Sequence, residues 1–355
     1  MARALKLAER GRYSTQPNPR VGCVIVNNGE IVGEGFHQTA GEAHAEINAL
    51  AQAGSLVRGA DVFVTLEPCS HHGKTPPCSE ALINARPARV VVAMSDPNPQ
   101  VSGQGIENLE AAGIAVRRGI CEAEAVQLNR GFISRMQTGR PFVTLKLATS
   151  LDGRVAMRSG ESSWITSSAA RKDVHRLRLE SCAIVTGINT VLVDNPRMTV
   201  RLSDDDTPGE YYLNNRQPLR VVLDSQRRLP QDAAILQAPG ETRQLVAQQH
   251  KNDQTSTKVI ALPAADGGLD LGAVLQYLGE QQINNVLLEA GGTLAGGFIK
   301  AGLVDELVVY QSPDIMGASA QAMVNLPEIL KMSEKLKFEY RDLRKIGRDL
   351  KLTLN

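Results

Sequence analysis

Short apolar runs, broken by glycine, proline and asparagine, set the pattern of the first part of the chain. Residues 22–26 (GCVIV) and 30–33 read as two strands. Asn27-Asn28-Gly29 between them supplies a hairpin turn, because asparagine and glycine tolerate positive φ. The spacing of apolar positions predicts a helix over 43–53, and the run DVFVTL predicts a strand over 61–66. A short helix is expected over 79–85. Residues 89–94 (RVVVAM) are continuously apolar, as in a strand buried on both faces. Helices follow at about 105–112 and over 122–138. Strands alternating with helices predict a three-layer α/β domain.

Thr138-Gly139-Arg140-Pro141 is a compact break, which divides the chain into domains 1–140 and 141–355. The alternation then starts again. Strands are expected at 142–148, 183–186, 219–223, 258–261, 285–289 and 306–310, with helices near 168–180, 271–281 and 294–302. Stretches 203–218 and 237–257 are polar and aperiodic and read as surface loops. No fixed period relates the halves, so two different α/β domains are expected.

A length of 355 residues also exceeds one ordinary core. The apolar fraction of 42% and charged fraction of 22% are those of a soluble globular protein. Lys plus Arg number 39 against 38 for Asp plus Glu, a net charge of +1. That balance argues against nucleic acid as a partner, since such proteins usually carry a strongly basic stripe. It leaves room for a local basic pocket. No apolar run reaches the length of about 18 residues needed to cross a bilayer. The N-terminal MARALKLAER alternates charge with apolar residues and lacks the apolar core of a secretory signal, so a cytoplasmic location is expected. Five cysteines at irregular spacing are not a disulfide framework. Cys23, Cys121 and Cys182 read as core thiols. Cys69 and Cys78 instead flank a loop rich in proline, glycine and histidine.

The strongest chemical signal is His44-Ala45-Glu46 followed by Pro68-Cys69 and Cys78. Zinc favours nitrogen and sulfur ligands in a tetrahedron, and a catalytic site keeps one vertex for water. His44, Cys69 and Cys78 supply three ligands and leave that vertex open. The metal brings the pKa of its water from about 15.7 to about 7. Glu46, two residues from the histidine, is placed to move protons from the water to a leaving amine without binding metal. Zinc nucleobase deaminases use this arrangement. Here eight residues, Ser70 to Pro77, separate the cysteines rather than two. A closed structural site with His71 or His72 as fourth ligand is the alternative reading.

The run Thr65-Leu66-Glu67-Pro68-Cys69-Ser70-His71-His72-Gly73-Lys74-Thr75-Pro76-Pro77-Cys78 resembles the RibD family of bifunctional riboflavin-biosynthesis proteins. So do Pro17-Asn18-Pro19 with Val21-Gly22, Gly41-Glu42 with His44-Ala45-Glu46, and Asp96-Pro97-Asn98-Pro99. The resemblance runs nearly end to end, and the long gap between the cysteines is specific to it. It implies an N-terminal cytidine-deaminase-like domain acting on a diaminopyrimidine with a phosphoribosylamino group. Asn18, Lys74, Asp96 and Asn98 would line that pocket; taken alone, each is a polar residue of a turn.

Signals in the later half are weaker. Ala290-Gly291-Gly292-Thr293-Leu294-Ala295-Gly296-Gly297 lies between an expected strand and helix, where glycines let main-chain N–H groups approach a phosphate. A tight turn with close helix packing reads equally well. Asp224-Ser225-Gln226-Arg227-Arg228 offers a hydroxyl and two cations for a 2′-phosphorylated dinucleotide.

The resemblance extends to Leu145-Lys146-Leu147-Ala148, Ser150-Leu151-Asp152-Gly153-Arg154, Gly160-Glu161-Ser162 with Trp164-Ile165-Thr166, and Thr190-Val191-Leu192 with Asp194, Pro196 and Thr199. It implies a dihydrofolate-reductase-like second domain. Ala148, Trp164, Thr190, Asp194, Ser225 and the segment Gly291, Gly292, Thr293, Leu294, Ala295, Gly296 and Gly297 would then contact NADPH. Ser162, Arg178, Met198, Arg201 and Glu289 would meet the substrate, with Lys146 close to the ribose. The two arginines suit its phosphate. The family also implies a homodimer or higher homo-oligomer formed through the reductase domains. Three other readings stay open at the level of residues. They are a nucleic-acid base deaminase, a deaminase with a merely binding or oligomerising second domain, and a non-enzymatic zinc-stabilised ligand-binding protein.

Overall fold

The computed structural model describes residues 1–70, 77–98, 102–162, 165–202, 216–248, 258–265 and 267–355. These divide into two compact units, Met1–Gly139 and one that begins at Arg140 and runs to Asn355.

In the first unit α1 (Ala2–Arg10) precedes the hairpin β1 (Gly22–Asn27) and β2 (Glu30–Phe36), and α2 (Ala45–Ala53) follows. Then come β3 (Asp61–Val64), α3 (Cys78–Ala85), β4 (Arg89–Val92), α4 (Gln104–Ala111), β5 (Ala115–Arg118), α5 (Glu122–Leu128) and α6 (Arg130–Thr138). The described strands form one sheet in the order β2-β1-β3-β4-β5. β1 is antiparallel to both neighbours, whereas β3, β4 and β5 are parallel. Val62, Val64, Val90 and Val92 are fully buried, as their apolar runs require.

The placement of α2 depends on glycine. A Cβ on Gly33 would lie 2.3 Å from the Ala49 carbonyl oxygen, and one on Gly35 would lie 2.3 Å from that of Ala45. Two residues on a strand and four on a helix advance by nearly the same distance, so Gly33 and Gly35 face Ala49 and Ala45 in turn. The helix therefore lies backbone to backbone on β2, with Ala45 and Ala49 wholly buried.

The structure departs from the sequence reading here. The helix expected over 122–138 is broken at Asn129, whose side chain serves another strand of chain. Its Oδ1 accepts the Arg20 N–H at 2.8 Å and its Nδ2 donates to the Arg20 carbonyl at 2.9 Å. β5 was not anticipated, because Ala115-Val116-Arg117-Arg118 is a largely exposed edge strand with little apolar signal. Cys23 and Cys182 are buried as expected, but Cys121 is only half-buried and caps α5.

The second unit contains β6 (Phe142–Thr149), β7 (Arg154–Ala156), α7 (Ser168–Glu180), β8 (Ala183–Gly187), α8 (Ile188–Asp194) and β9 (Leu219–Leu223). It continues with α9 (Ala234–Gln237), β10 (Thr242–Ala247), β11 (Lys258–Leu262), the small pair β12 (Ala264–Ala265) and β13 (Gly268–Leu269), and α10 (Leu271–Glu280). β14 (Asn285–Glu289), α11 (Gly292–Lys300), β15 (Glu306–Gln311), β16 (Gln321–Ala322), β17 (Tyr340–Ile346) and β18 (Asp349–Leu354) complete it. Its main described sheet has the order β11-β10-β9-β8-β14-β6-β15-β18-β17. Strands β11 through β15 of that order are parallel, and the hairpin β17–β18 adds antiparallel to β15.

β10 lies inside the stretch 237–257 expected to be loop. Its first residues, Thr242, Arg243 and Gln244, are polar, yet Gln244 is buried and donates to Asp224 Oδ2 at 2.8 Å. Residues 249–257, like 203–215, lie outside the described residues. The C-terminal hairpin was also unanticipated, since five of the seven residues of β17 are exposed and its sequence is rich in charge. Among the described residues no helix is long and apolar enough to cross a membrane.

Gly35→Ala is expected to destabilise the fold by about 1–3 kcal/mol, because main chain must move to admit the methyl group. A lower urea midpoint for the intact chain checks this.

Candidate functional sites

In the first unit, helix starts bring the predicted metal ligands together. His44 is the residue before α2, with extended backbone, and Cys78 is the first residue of α3. Cys69 follows β3, and its carbonyl accepts the Ser79 N–H at 3.1 Å, which docks the start of α3. The ligand atoms of His44, Cys69 and Cys78 all lie within 4.8 Å of one another. His44 Nδ1 is 3.3 Å from Cys78 Sγ and 3.6 Å from Cys69 Sγ. A tetrahedral zinc with its usual bond lengths spans a nitrogen–sulfur edge of about 3.5 Å, so this donor set fits the ion.

Electrostatics favour a thiolate. The Cys78 hydrogen bond holds Cys69 down at about 4 despite burial, with His44 assisting. The same bond pushes Cys78 up, and His44 is raised by its bond to Cys69. Glu46, in the first turn of α2, is 3% exposed, and burial pushes its carboxyl up to about 7. A buried group titrating near neutrality, beside three metal donors, has the properties of a proton carrier.

Sequence reasoning missed His37. It is buried at the end of β2, and its ring meets that of His44 edge-on, with centroids 5.3 Å apart. His37 Nδ1 lies 3.2 Å from the Ala43 carbonyl, which can only accept, so Nδ1 carries the proton. Nε2 then accepts from Asn18 Nδ2 at 3.0 Å, which fixes the direction of the Asn18 amide. Burial lowers the His37 pKa, in keeping with a neutral ring. Asp96 and Asn98 lie half-buried after β4, and the Asn98 N–H donates to Asp96 Oδ1 at 2.8 Å. Lys74, His71 and His72 lie outside the described residues.

In the second unit a cavity of about 1150 Å³ opens at the carboxyl ends of β6, β8, β9 and β14. Parallel sheets place ligand crevices at such ends. Lys146, Ala148, Ser162, Thr190, Asp194, Met198, Ser225 and Glu289 line it, as do Gly291, Gly292, Thr293, Leu294 and Gly297. Trp164 lies outside the described residues.

The helix expected from 294 starts slightly earlier in the glycine run. α11 begins at Gly292, with Gly291 as its N-cap, so most of the run is helix. Gly291 has open space where a Cβ would stand. A Cβ on Gly296 would instead lie 2.0 Å from the Asn325 carbonyl oxygen. Gly296 and the fully buried Ala295 do not line the cavity. They pack the helix.

Arg178 is engaged within the protein. Its guanidinium grips Glu289 at 2.6 and 2.9 Å and donates to the Thr199 carbonyl at 2.9 Å. Its fork is thus committed to a carboxylate rather than open to a phosphate. Burial would raise Glu289, but Arg178 outweighs it and holds the carboxyl at about 2. Lys146 is lowered by burial. Neither Arg178 nor Arg201 lines the cavity; the Arg201 guanidinium donates to Thr199 Oγ1 at 3.4 Å. His175 was not singled out from sequence. Its Nδ1 accepts the Arg201 N–H at 3.3 Å, and burial with the two arginines lowers it to about 4.

The Glu46 shift sets a pH dependence for the metal-free protein. Folded Glu46 keeps its proton up to about 7, and its ordinary value is 4.5. The folded state binds more protons between those values, so this contribution to stability is complete below 4.5 and is lost as pH rises to about 7. Metal-free wild type should therefore lose stability relative to metal-free Glu46→Gln across that window and stay level above it. Urea midpoints at several pH values check the sign.

Comparison with known proteins covers both units. The family model of the RibD C-terminal domain matches residues 141–352. That of the cytidine and deoxycytidylate deaminase zinc-binding region matches residues 1–94. The riboflavin biosynthesis protein RibD of Escherichia coli K12 is 52% identical, covering 100% of this chain and 98% of its own. An Acinetobacter baumannii RibD structure superposes with a TM-score of 0.89 at 44% identity, covering 99% and 96% of the two chains. A Thermotoga maritima structure, described as a diaminohydroxyphosphoribosylaminopyrimidine deaminase and 5-amino-6-(5-phosphoribosylamino)uracil reductase, gives 0.87 at 33% identity, covering 100% and 97%. Likeness of this extent, across both units, shows that the chain belongs to the RibD family of bifunctional deaminase–reductases in riboflavin biosynthesis.

Proposed function

We propose that the first unit hydrolytically deaminates 2,5-diamino-6-(5-phosphoribosylamino)pyrimidin-4(3H)-one, and that the second reduces the ribosyl group of the product with NADPH. The result is 5-amino-6-(5-phosphoribitylamino)uracil. The observation that carries this is the convergence of His44, Cys69 and Cys78 beside the buried Glu46. The Thermotoga maritima relative, whose described activities name this chemistry, supports the choice of substrate.

His44, Cys69 and Cys78 would hold the zinc, which when bound activates a water as nucleophile. Glu46 takes the proton from that water, delivers it to the ring nitrogen and helps the amine leave as ammonia. Burial of Glu46 suits it to both directions of transfer. Asn18, Asp96 and Asn98 orient the ring, and His37 fixes the Asn18 amide. Lys74 would join them.

In the second unit NADPH, when bound, supplies the hydride. Gly291 and the start of α11 face the cavity and suit its phosphates, while Ser225 at the end of β9 suits the 2′-phosphate. Lys146 reaches the ribose, with Ser162 and Met198 as further walls. Glu289 meets the substrate with its carboxylate held by Arg178, and Arg201 remains the better phosphate ligand of the two arginines. The protein works in the cytoplasm as a homodimer or higher homo-oligomer. Leu330, Met332 and Tyr340 are exposed apolar residues of the second unit that self-association would cover.

Glu46→Gln should retain zinc yet lose ammonia release by about 10²–10⁴-fold, because Glu46 moves protons and is not a ligand. Ammonia release at the normal rate with full zinc would make the proton-carrier role wrong. Lys146→Ala or Arg201→Ala should spare ammonia release and block NADPH oxidation on the deaminated product; simultaneous loss of both steps would contradict two separate sites.

A further inference from the structure

β3 and β4 are parallel neighbours, and the chain leaves their carboxyl ends side by side. Val64 accepts the Ala93 N–H at 3.0 Å, and Met94 accepts the Glu67 N–H at 3.0 Å, so the ladder continues past both strands. One segment goes on to Cys69. The other goes on to Asp96 and Asn98.

The Glu67 side chain crosses between them. Its Oε2 accepts the N–H of Asp96 at 3.0 Å and that of Gly103 at 3.1 Å. Its Oε1 accepts the N–H of Gly105 at 3.0 Å and lies 3.5 Å from that of Ile106. The residue is 3% exposed. A carboxylate offers about four acceptor sites, and main-chain donors fill them here. Gly105 and Ile106 are in the first turn of α4, where N–H groups lack helical partners and negative charge is favoured. Asp96 and Gly103 share one oxygen.

A second observation fixes the same spacing. A Cβ on Gly105 would lie 1.9 Å from the carbonyl oxygen of Pro68, the residue between Glu67 and Cys69. The start of α4 thus abuts the metal-ligand segment directly.

We propose that Glu67 is a positioning residue for deamination, a clamp that holds the substrate loop at Asp96 and Asn98 at a set distance from Cys69. This rests on the reading that Asp96 and Asn98 meet the pyrimidine. Glu67 touches neither metal nor substrate. It acts through the loop main chain, so its loss displaces substrate contacts while the His44, Cys69 and Cys78 donors remain.

The test uses the full-length, zinc-loaded protein and three variants. Glu67→Gln keeps the shape but turns an amide nitrogen toward two of the main-chain donors. Gly105→Ala pushes the start of α4 off Pro68. Asp96→Ala tests the underlying reading. Each of the first two should raise KM for the diaminopyrimidine phosphate roughly tenfold with a smaller change in kcat. Zinc content and the rate of NADPH oxidation on deaminated product should not change. Asp96→Ala should raise KM as well, and its combination with Glu67→Gln should be less than additive. If Asp96→Ala raises KM and Glu67→Gln and Gly105→Ala do not, the clamp is wrong while the pocket reading stands. If Asp96→Ala leaves KM unchanged, the pocket reading fails and the clamp with it. Zinc lost from both Glu67→Gln and Gly105→Ala, with KM unchanged in the zinc-loaded fraction, would make Glu67 a support of the metal site and overturn the proposal.

Discussion

Contact between main chain and main chain, with no side chain in between, is the constraint on which the deaminase site depends. Gly33 and Gly35 leave the face of β2 bare, and Ala45 and Ala49 leave the face of α2 nearly so. The helix settles onto the strand, and its first turn carries His44 and Glu46 to a fixed depth. On the same face of the sheet, Gly105 lets α4 meet Pro68 in the same way. A metal site tolerates errors of only a few tenths of an ångström in ligand placement. Backbone contacts of this kind hold position better than flexible side chains do.

Burial then supplies the chemistry. The same packing that excludes water from Glu46 raises its carboxyl toward neutrality. In the second unit the opposite outcome arises from the same burial. Glu289 is equally enclosed, but Arg178 lies against it and keeps it ionised. The two buried glutamates thus shift in opposite directions, because one has a guanidinium partner and the other has burial reinforced by the Cys69 thiolate.

Much of this was legible in the residues. His44, Cys69, Cys78 and Glu46 declare themselves by type and spacing, since few other uses explain that combination. The apolar runs of β1, β3, β4 and β14 are equally plain. Elements with polar or charged residues escaped: β5 and β17 at exposed edges, and β10, whose buried Gln244 pays for its place by binding Asp224. The break at Asn129 was invisible because its cause lies over a hundred residues away at Arg20. His37, Glu67 and Arg178 act through main chain or through another side chain, and nothing local in sequence reports such partners. The glycine run divides for a related reason. Gly291 and Gly296 look alike in sequence, yet one faces a cavity and the other a carbonyl oxygen.

The central claim is that one chain performs two separable steps in order. It is tested most directly by supplying the diaminopyrimidine phosphate to the zinc-loaded protein with and without NADPH, following ammonia and NADPH separately. Ammonia release at the same rate in both cases, with NADPH oxidised only after deaminated product forms, is the predicted result. NADPH oxidation without ammonia release, or ammonia release only when NADPH is present, would contradict it.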